Sequence, residues 1–140
     1  MNTVAAHRIH LRGPWKLELV TDPAATAFKV RLPAEWDELF AGCSGRVRLA
    51  RTFHRPTNLQ SNDVVELVFD EWPGAWAVSL NRQPLAEFRD ASAEAPRRLA
   101  VTRLLEPTNV LSVETEIAPD SSRDKGQGQF GTVAIEILSE

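Results

Sequence analysis

The stretch Arg46-Val-Arg-Leu-Ala-Arg-Thr-Phe-His54 decides the fold class of this chain. Its apolar side chains recur at every second residue, so that Val47, Leu49 and Phe53 share one face of the segment. Alternation with a period of two is typical of a β-strand with one buried face, because successive side chains of a strand point to opposite sides. We therefore predict a strand over residues 46–54.

The same alternation recurs on the C-terminal side of this stretch. Residues 63–70 carry apolar side chains on both faces, which is typical of a central strand in a sandwich. Shorter alternating runs lie at 76–80, 111–113 and 133–137, and segments rich in Pro, Gly and Asn separate them. Only residues 102–105 indicate a helical turn. The pattern predicts an all-β sandwich of mostly antiparallel strands.

The composition of the chain excludes several classes of function. The chain has 140 residues, of which 43% are hydrophobic and 25% charged, which is typical of one globular domain with an ordinary core. A net charge of −3 gives no basic surface for nucleic acid. No apolar run approaches the ~20 residues of a membrane span, and no secretory leader is visible, so we expect a cytoplasmic protein with neither nucleic-acid nor membrane partners. Cys43 is the single cysteine, so no internal disulfide forms.

The alternating direction of successive strands predicts which loops lie at the same end of the sandwich. If each strand runs antiparallel to the strand before it, successive loops alternate between the two ends of the sandwich. Segments 37–45, 71–75, 89–96 and 119–130 then share one end, which we call the loop rim, and segments 55–62, 81–84 and 102–108 share the other. Because binding residues are concentrated on loops held by a rigid scaffold, the loop rim is the candidate binding end.

Five residues of the loop rim are candidate ligand contacts. Trp72 lies in the turn Asp70-Glu-Trp-Pro-Gly74, where an exposed indole would offer a flat apolar face to a sugar ring. Packing of this indole beneath the loop is the competing interpretation. Neighbouring charged and amide groups could bond sugar hydroxyls. The candidate ligand-binding set is Trp72, Arg89, Asp90, Arg123 and Gln127.

The sequence contains no recognisable catalytic or metal-binding pattern. There is no Gly-x-Ser-x-Gly motif and no Cys/His set with metal spacing, so we predict no catalytic residue and no cofactor. A structural Ca²⁺ is compatible with the fold class, but no loop with suitable oxygen spacing supports one. The run from Gly126 to Gly131 formally matches G-x-G-x-x-G, but a strand pattern follows it where a dinucleotide site needs a helix.

Arg51 breaks the alternation of the first strand. It shares the phase of Val47, Leu49 and Phe53, and an arginine on a core-facing position needs a partner. We expect an ion pair with Glu35 or Asp37.

Six short blocks occur in order along residues 13–138. They are Gly13-Pro-Trp15-Lys-Leu17, Leu32-Pro-Ala-Glu-Trp36, Arg51-Thr-Phe53, Ala77-Val-Ser-Leu-Asn81, Val101-Thr-Arg-Leu-Leu105 with Asn109-Val-Leu111-Ser-Val113, and Phe130-Gly-Thr-Val133. Together they resemble the N-terminal sugar-binding domain of family 2 glycoside hydrolases, the group of β-galactosidases, β-glucuronidases and β-mannosidases. The chain departs from that pattern at Arg82, Ala100 and the loop that starts at Arg89.

The resemblance implies a galactose-binding-like jelly roll of about eight or nine strands, forming a single domain over residues 1–140 with its core in residues 8–138. In that family the catalytic glutamates belong to a separate (β/α)₈ barrel, so no catalytic residue carries over to this chain. The first functional hypothesis is therefore a non-catalytic carbohydrate-binding module, standing alone or beside a separate glycosidase. The alternatives are a protein-interaction domain that docks a partner or a second copy, and a truncated glycosidase remnant without activity of its own.

Overall fold

A computed structural model describes residues 4–20, 27–35, 45–57, 59–70, 72, 74–91, 97–117 and 129–139. The strands are β1 (Val4–His10), β2 (Trp15–Leu19), β3 (Phe28–Val30), β4 (Ala34–Glu35), β5 (Gly45–His54), β6 (Val64–Asp70), β7 (Gly74–Leu80), β8 (Gln83–Ala91), β9 (Arg97–Ala100), β10 (Thr108–Ile117), β11 (Gln129–Phe130) and β12 (Thr132–Ser139). A short 3₁₀ helix covers Thr102–Leu104. Among these described residues, no helix is long and apolar enough to cross a membrane.

Two antiparallel sheets form a sandwich, which confirms the predicted fold class. One sheet has four strands in the order β1-β12-β6-β9, and the other has six in the order β3-β2-β5-β10-β7-β8. The short strands β4 and β11 pair with each other beside them. The described strands outnumber the eight or nine expected because several, such as β4 and β11, are only two residues long and leave no alternation in the sequence.

The alternation that predicted the strands also predicts which side chains form the core. In β5, Val47 and Leu49 are fully buried and Phe53 is 6% exposed, while Arg48, Ala50 and Thr52 face outward. Arg51 shares the inward phase. Strand β6 lies between β12 and β9, which confirms its central position. Its inward residues meet those of the six-stranded sheet in a core that includes Trp15, Leu17, Leu67, Phe69, Trp76, Val78, Leu80, Leu111, Val113 and Ile135.

The longest pairing in the fold joins β5 to β10. All ten residues of β5 have a partner in β10, from Gly45 opposite Ile117 to His54 opposite Thr108. Strand β7 continues the sheet with Ala77 opposite Glu114, and β8 follows with Ala91 opposite Gly74. Gly45, Ile117, Gly74 and Ala91 therefore lie at one end of the sheet. The strand ends next to the predicted loop rim are thus on the same side, as expected.

The opposite end of the sandwich is braced by two asparagines. Asn81 and Arg82 form the β7–β8 turn with φ of 53° and 70°, the left-handed conformation that a two-residue hairpin requires. The Asn81 amide donates to Asn109 Oδ1 at 3.0 Å, and Asn81 Oδ1 accepts from the Val110 backbone N–H at 2.9 Å. The turn is thereby tied to β10.

Asn109 is fully buried and joins three segments. Its Oδ1 also accepts from the Glu106 backbone N–H, and its amide donates to the Glu106 carbonyl, both at 2.8 Å. A longer bond of 3.5 Å reaches the Phe53 carbonyl. Asn81 and Asn109 both belong to the sequence blocks quoted above, and these contacts explain why. Each side chain bonds backbone groups that have no backbone partner in the turns.

We expect Asn109→Ala to lower the free energy of unfolding by about 2–3 kcal/mol, because buried groups at Glu106 and Asn81 lose their partner. Urea denaturation followed by tryptophan fluorescence measures the change. Thr108→Ala, at the neighbouring exposed position, is the control and should stay within about 0.5 kcal/mol of the parent. If both variants unfold at the same urea concentration, the hydrogen bonds of Asn109 do not stabilise the fold.

The outer face of the four-stranded sheet contains a buried carboxylate. Glu136 on β12 is 3% exposed, and it forms ion pairs with Arg8 of β1 and Arg98 of β9. Arg98 Nη1 lies 2.7 Å from Glu136 Oε1 and 3.2 Å from Glu66 Oε1. Both arginines come from edge strands, so this charge network fastens the two edges of the sheet to its centre. The hydrogen bond from Arg98, followed by that from Arg8, lowers the pKa of Glu136 against the opposing effect of burial.

Glu136 should make stability fall in acid. Because its pKa is lower in the folded than in the unfolded chain, its contribution is present above the unfolded pKa and is lost as the pH falls through the folded pKa. We expect Glu136→Gln to cost about 1 kcal/mol near neutral pH, a modest value because water reaches both arginines. Urea denaturation across the acid range should show the two proteins converging below about pH 4.

Glu66→Gln is the matched control, since Glu66 is 22% exposed and, among the described residues, forms its ion pair with Arg98. Its destabilisation should be smaller. A difference between parent and Glu136→Gln that stays constant down to the acid limit would contradict the ion-pair explanation.

Candidate functional site

The outer face of the six-stranded sheet carries a row of charged and small side chains. Pairing places Glu114 beside Ala77, and Ala77 beside Glu87, on strands β10, β7 and β8. The neighbouring residues Trp76, Val78 and Val113 are buried in the core, so this row faces outward. Two strand spacings separate the Cα atoms of Glu114 and Glu87 by about 10 Å, with only the methyl group of Ala77 between them.

A second row of small residues lies next to Ala77 on the same outer face of the sheet. Ser112 lies opposite Ser79, and Ser79 lies opposite Pro84. Two adjoining hollows of about 430 and 560 Å³ lie over the rows, and they share Ala77, Glu87 and Glu114. We call this combined depression the outer trough. Its volume is in the range of small-molecule sites, and it exists because β7 and β10 present small residues between longer ones.

The wall of the outer trough on the β5 side is a network of exposed ion pairs. Arg48 Nε donates to Glu114 Oε2 at 2.9 Å, and Arg46 Nη1 lies 3.8 Å from Glu114 Oε1. Arg48 also lies 3.7 Å from Glu18 of β2. Such exposed pairs add little to stability, about 0–1 kcal/mol each. Their effect is to fix the orientation of Glu114 at the edge of the trough.

The outer trough opens toward the loop rim. Ala75, Thr115 and Glu116 line its rim end, and the Thr115 hydroxyl donates to the Ala75 carbonyl at 2.5 Å. Two of the predicted contacts, Arg89 and Asp90, lie on β8 between Phe88 and Ala91, at the same end. Arg123 and Gln127 lie outside the described residues. The structure thus adds a sheet surface next to the rim on which the sequence placed the candidate site.

Trp72 requires a correction, because its indole does not form an exposed platform. Its side chain is 4% exposed, and Nε1 donates to the Thr132 carbonyl at 3.0 Å. Its ring makes edge-to-face contacts with Trp76 at 4.5 Å and Phe69 at 5.7 Å between centroids. The turn therefore returns the indole into the core, and the packing interpretation describes this residue.

The ion pair expected for Arg51 stays a prediction, because neither of its expected partners is among the described side chains. The side chain of Glu35 and the whole of Asp37 lie outside the described part of the structure. Arg51 Nη1 donates to the Thr52 carbonyl at 2.6 Å, whereas Nε is buried without a hydrogen-bond partner. Burial accordingly lowers the pKa of Arg51. Leu49 and Phe53, on the same face of β5, are buried in the core. The Arg51 side chain therefore belongs to the packing of the sheet and not to a ligand site.

The residues of the outer trough carry no motif that marks them in the sequence. Ser79 stands on the outward phase of a predicted strand, where polar residues are ordinary. Glu114 and Glu87 lie outside the predicted strands, on β10 and β8. Only the pairing of β10 with β7, whose residues are far apart in sequence, brings them together. The strand predicted after the glycine-rich run is confirmed, since β12 begins directly after Gly131. Within the described ranges, no group of three or more His, Cys, Asp or Glu residues is arranged to hold a metal ion.

The fold and the outer trough define a β-sandwich domain with a polar depression on one sheet. No protein-family model matches the chain. No curated protein matches it by sequence.

Solved structures do share the fold. A β-glucuronidase from an uncultured Clostridium species superposes with a TM-score of 0.72 at 14% identity, over 100% of this chain and 30% of that one. An FMN-binding β-glucuronidase from Faecalibacterium prausnitzii L2-6 gives 0.71 at 20% identity, over 95% and 23%. A putative β-galactosidase from Bacteroides fragilis gives 0.67 at 14% identity, over 95% and 23%.

These similarities confirm the resemblance at the level of the fold. The whole chain corresponds to a β-sandwich portion of these glycosidases, and it spans only about a quarter to a third of their length. At identities of 14–20%, the similarity is one of fold.

We expect Trp72→Ala to destabilise the domain by about 3–5 kcal/mol, because it leaves a cavity beside Phe69 and Trp76. Trp72→Phe retains part of the ring contact and loses the bond to Thr132, so a cost of about 1–2 kcal/mol is expected. Thermal and urea unfolding measure both variants. An alanine variant as stable as the parent would restore the exposed-platform interpretation.

Proposed function

We propose that residues 1–140 form a single non-catalytic module that binds carbohydrate along the outer trough, with Arg89, Asp90, Arg123 and Gln127 as contacts at its rim end. The observation that carries the proposal is the trough itself. Ser79, Ser112, Thr115, Glu87 and Glu114 line a depression large enough for one or two sugar rings. The shared fold with carbohydrate-processing enzymes supports this ligand class.

The arrangement favours hydrogen bonding to a sugar over stacking on an aromatic ring. Trp76 and Phe88 contribute to the lining, but they are only 2% and 7% exposed. Carboxylates and hydroxyls on a rigid sheet accept and donate bonds in fixed directions, which suits a ring of hydroxyl groups. Without a stacking platform among the described residues, we expect weak binding, with a Kd of roughly 0.1–1 mM, or about −4 to −5.5 kcal/mol.

Docking of a partner enzyme or a second copy is the alternative. The large apolar side chains exposed in the described part of the chain are Ile9 and Val110, at 36% and 43%. They belong to different sheets, so they do not form one continuous apolar patch. The described surface therefore favours a polar ligand over a hydrophobic interface.

The test is a titration of the ¹⁵N-labelled domain with glucose, galactose, mannose and glucuronate, followed by amide chemical shifts. We expect shifts in β7, β8 and β10, centred on Ala77, Ser79 and Ser112, for at least one sugar. Ala77→Gln places a longer neutral side chain on the floor of the trough and should weaken binding about tenfold.

Thr52→Gln is the matched control, because Thr52 is an exposed residue of the same sheet face but does not line the trough. It should bind like the parent. Absence of shifts at roughly 50 mM of every sugar, far above the expected Kd, would refute carbohydrate binding. A mass that rises with protein concentration in the same samples would favour the docking alternative.

A further inference from the structure

We infer that Ser79 and Ser112 orient the bound sugar by holding two hydroxyl groups on adjacent ring carbons, so that the ligand class is a sugar with a free vicinal diol. This inference rests on the proposed carbohydrate binding and names the part of the sugar that the outer trough recognises. It comes from the position of the two serines, from the state of their hydroxyl groups and from the residues on either side of them.

The two serines form a pair on the outer face of the six-stranded sheet. Ser112 of β10 lies opposite Ser79 of β7, which places their Cα atoms about 4.5–5.5 Å apart. Their neighbours along the strands, such as Val78 and Val113, are buried in the core, so both serine side chains point out of the sheet. Both residues are half-buried and line the same hollow of the outer trough.

Neither serine hydroxyl is used by the fold. In the described part of the structure, neither of them donates or accepts a hydrogen bond, whereas the Thr115 hydroxyl of the same trough donates to the Ala75 carbonyl. A partly buried polar group normally has a hydrogen-bond partner, and a ligand or a water molecule supplies it where the protein does not. The pair is therefore available to a ligand.

The residues on either side confine hydrogen bonding in this row to the serine pair. Ala50 lies opposite Ser112 on the β5 side, and Pro84 lies opposite Ser79 on the β8 side. The side chains of alanine and proline have no hydrogen-bonding group. A ligand lying across these four strands meets two hydroxyls at the centre and an apolar group on each side.

A vicinal diol matches this arrangement. Sugar hydroxyls both donate and accept, as serine hydroxyls do. Two of them on adjacent carbons can complete a ring of four bonds with the serine pair, in which each oxygen donates one bond and accepts one. An ionised carboxylate only accepts, so it cannot complete such a ring. The C–H groups of the sugar ring would lie against Ala50 and Pro84.

The experiment uses the tightest-binding of the four sugars in the NMR titration described above, together with its 1-, 2-, 3- and 4-deoxy derivatives. We expect two of these derivatives, lacking hydroxyls on adjacent carbons, to bind about fivefold more weakly, which corresponds to the loss of one hydrogen bond. The other two should bind within about twofold of the complete sugar.

Variants test whether the two serines cause this loss. Ser79→Ala and Ser112→Ala should each weaken binding of the complete sugar about fivefold. In either variant the loss for the two deoxy derivatives should shrink toward about twofold, because each sugar hydroxyl has lost one of its two partners. Ser61→Ala makes the same change at an exposed serine of the 55–62 segment, near the opposite end of the sandwich, and should bind like the parent.

Urea denaturation separates a lost contact from a damaged fold. All three alanine variants should unfold at the urea concentration of the parent, because Ser79 and Ser112 bond nothing in the described structure. If the complete sugar binds Ser79→Ala and Ser112→Ala within about twofold of the parent, or if the affected hydroxyls are not adjacent, the inference is wrong while carbohydrate binding stands. If none of the four sugars binds at the trough, the proposed function itself is wrong.

Discussion

The pairing of β5 with β10 is the constraint on which the rest of the structure depends. The two strands match along all ten residues at the centre of the six-stranded sheet, and β2 and β7 are added on either side of them. A shift of one residue would exchange the two faces of a strand. The observed register turns Leu49 and Val113 into the core and Arg48 and Glu114 outward. The register between β5 and β10 therefore determines which residues face the core and which face the outer trough.

The sequence predicted the parts of this fold that depend on alternation within a strand. Residues 46–54 and 63–70 were placed correctly because burial of one or both faces leaves a direct mark on residue type. The order of the strands in a sheet leaves no comparable pattern in the sequence. Asn81 and Asn109 come together only when β10 has paired with β5 and with β7. The network of Glu136 with Arg8 and Arg98 was missed for the same reason. Its partners are separated by 128 and 38 residues.

Trp72 shows why turn chemistry alone does not determine exposure. The Pro and Gly that follow it mark a turn, and turns lie at the surface, so an exposed indole was a reasonable hypothesis. Burial of a large aromatic side chain against Phe69 and Trp76 outweighs that tendency, because the ring contacts and the bond to the Thr132 carbonyl are both tertiary. A prediction made from the local turn had no access to them.

A shared fold and a shared ligand have different physical origins in a sandwich of this kind. Inward residues such as Leu49, Val113 and Leu67 must remain apolar for the sheets to pack, so the fold persists at identities of 14–20%. Outward residues are free of that requirement, and Glu87 and Glu114 can change without loss of the core. The ligand is therefore decided by the residues that the fold constrains least. For this chain those residues are the outward side chains of β7, β8 and β10 that line the outer trough.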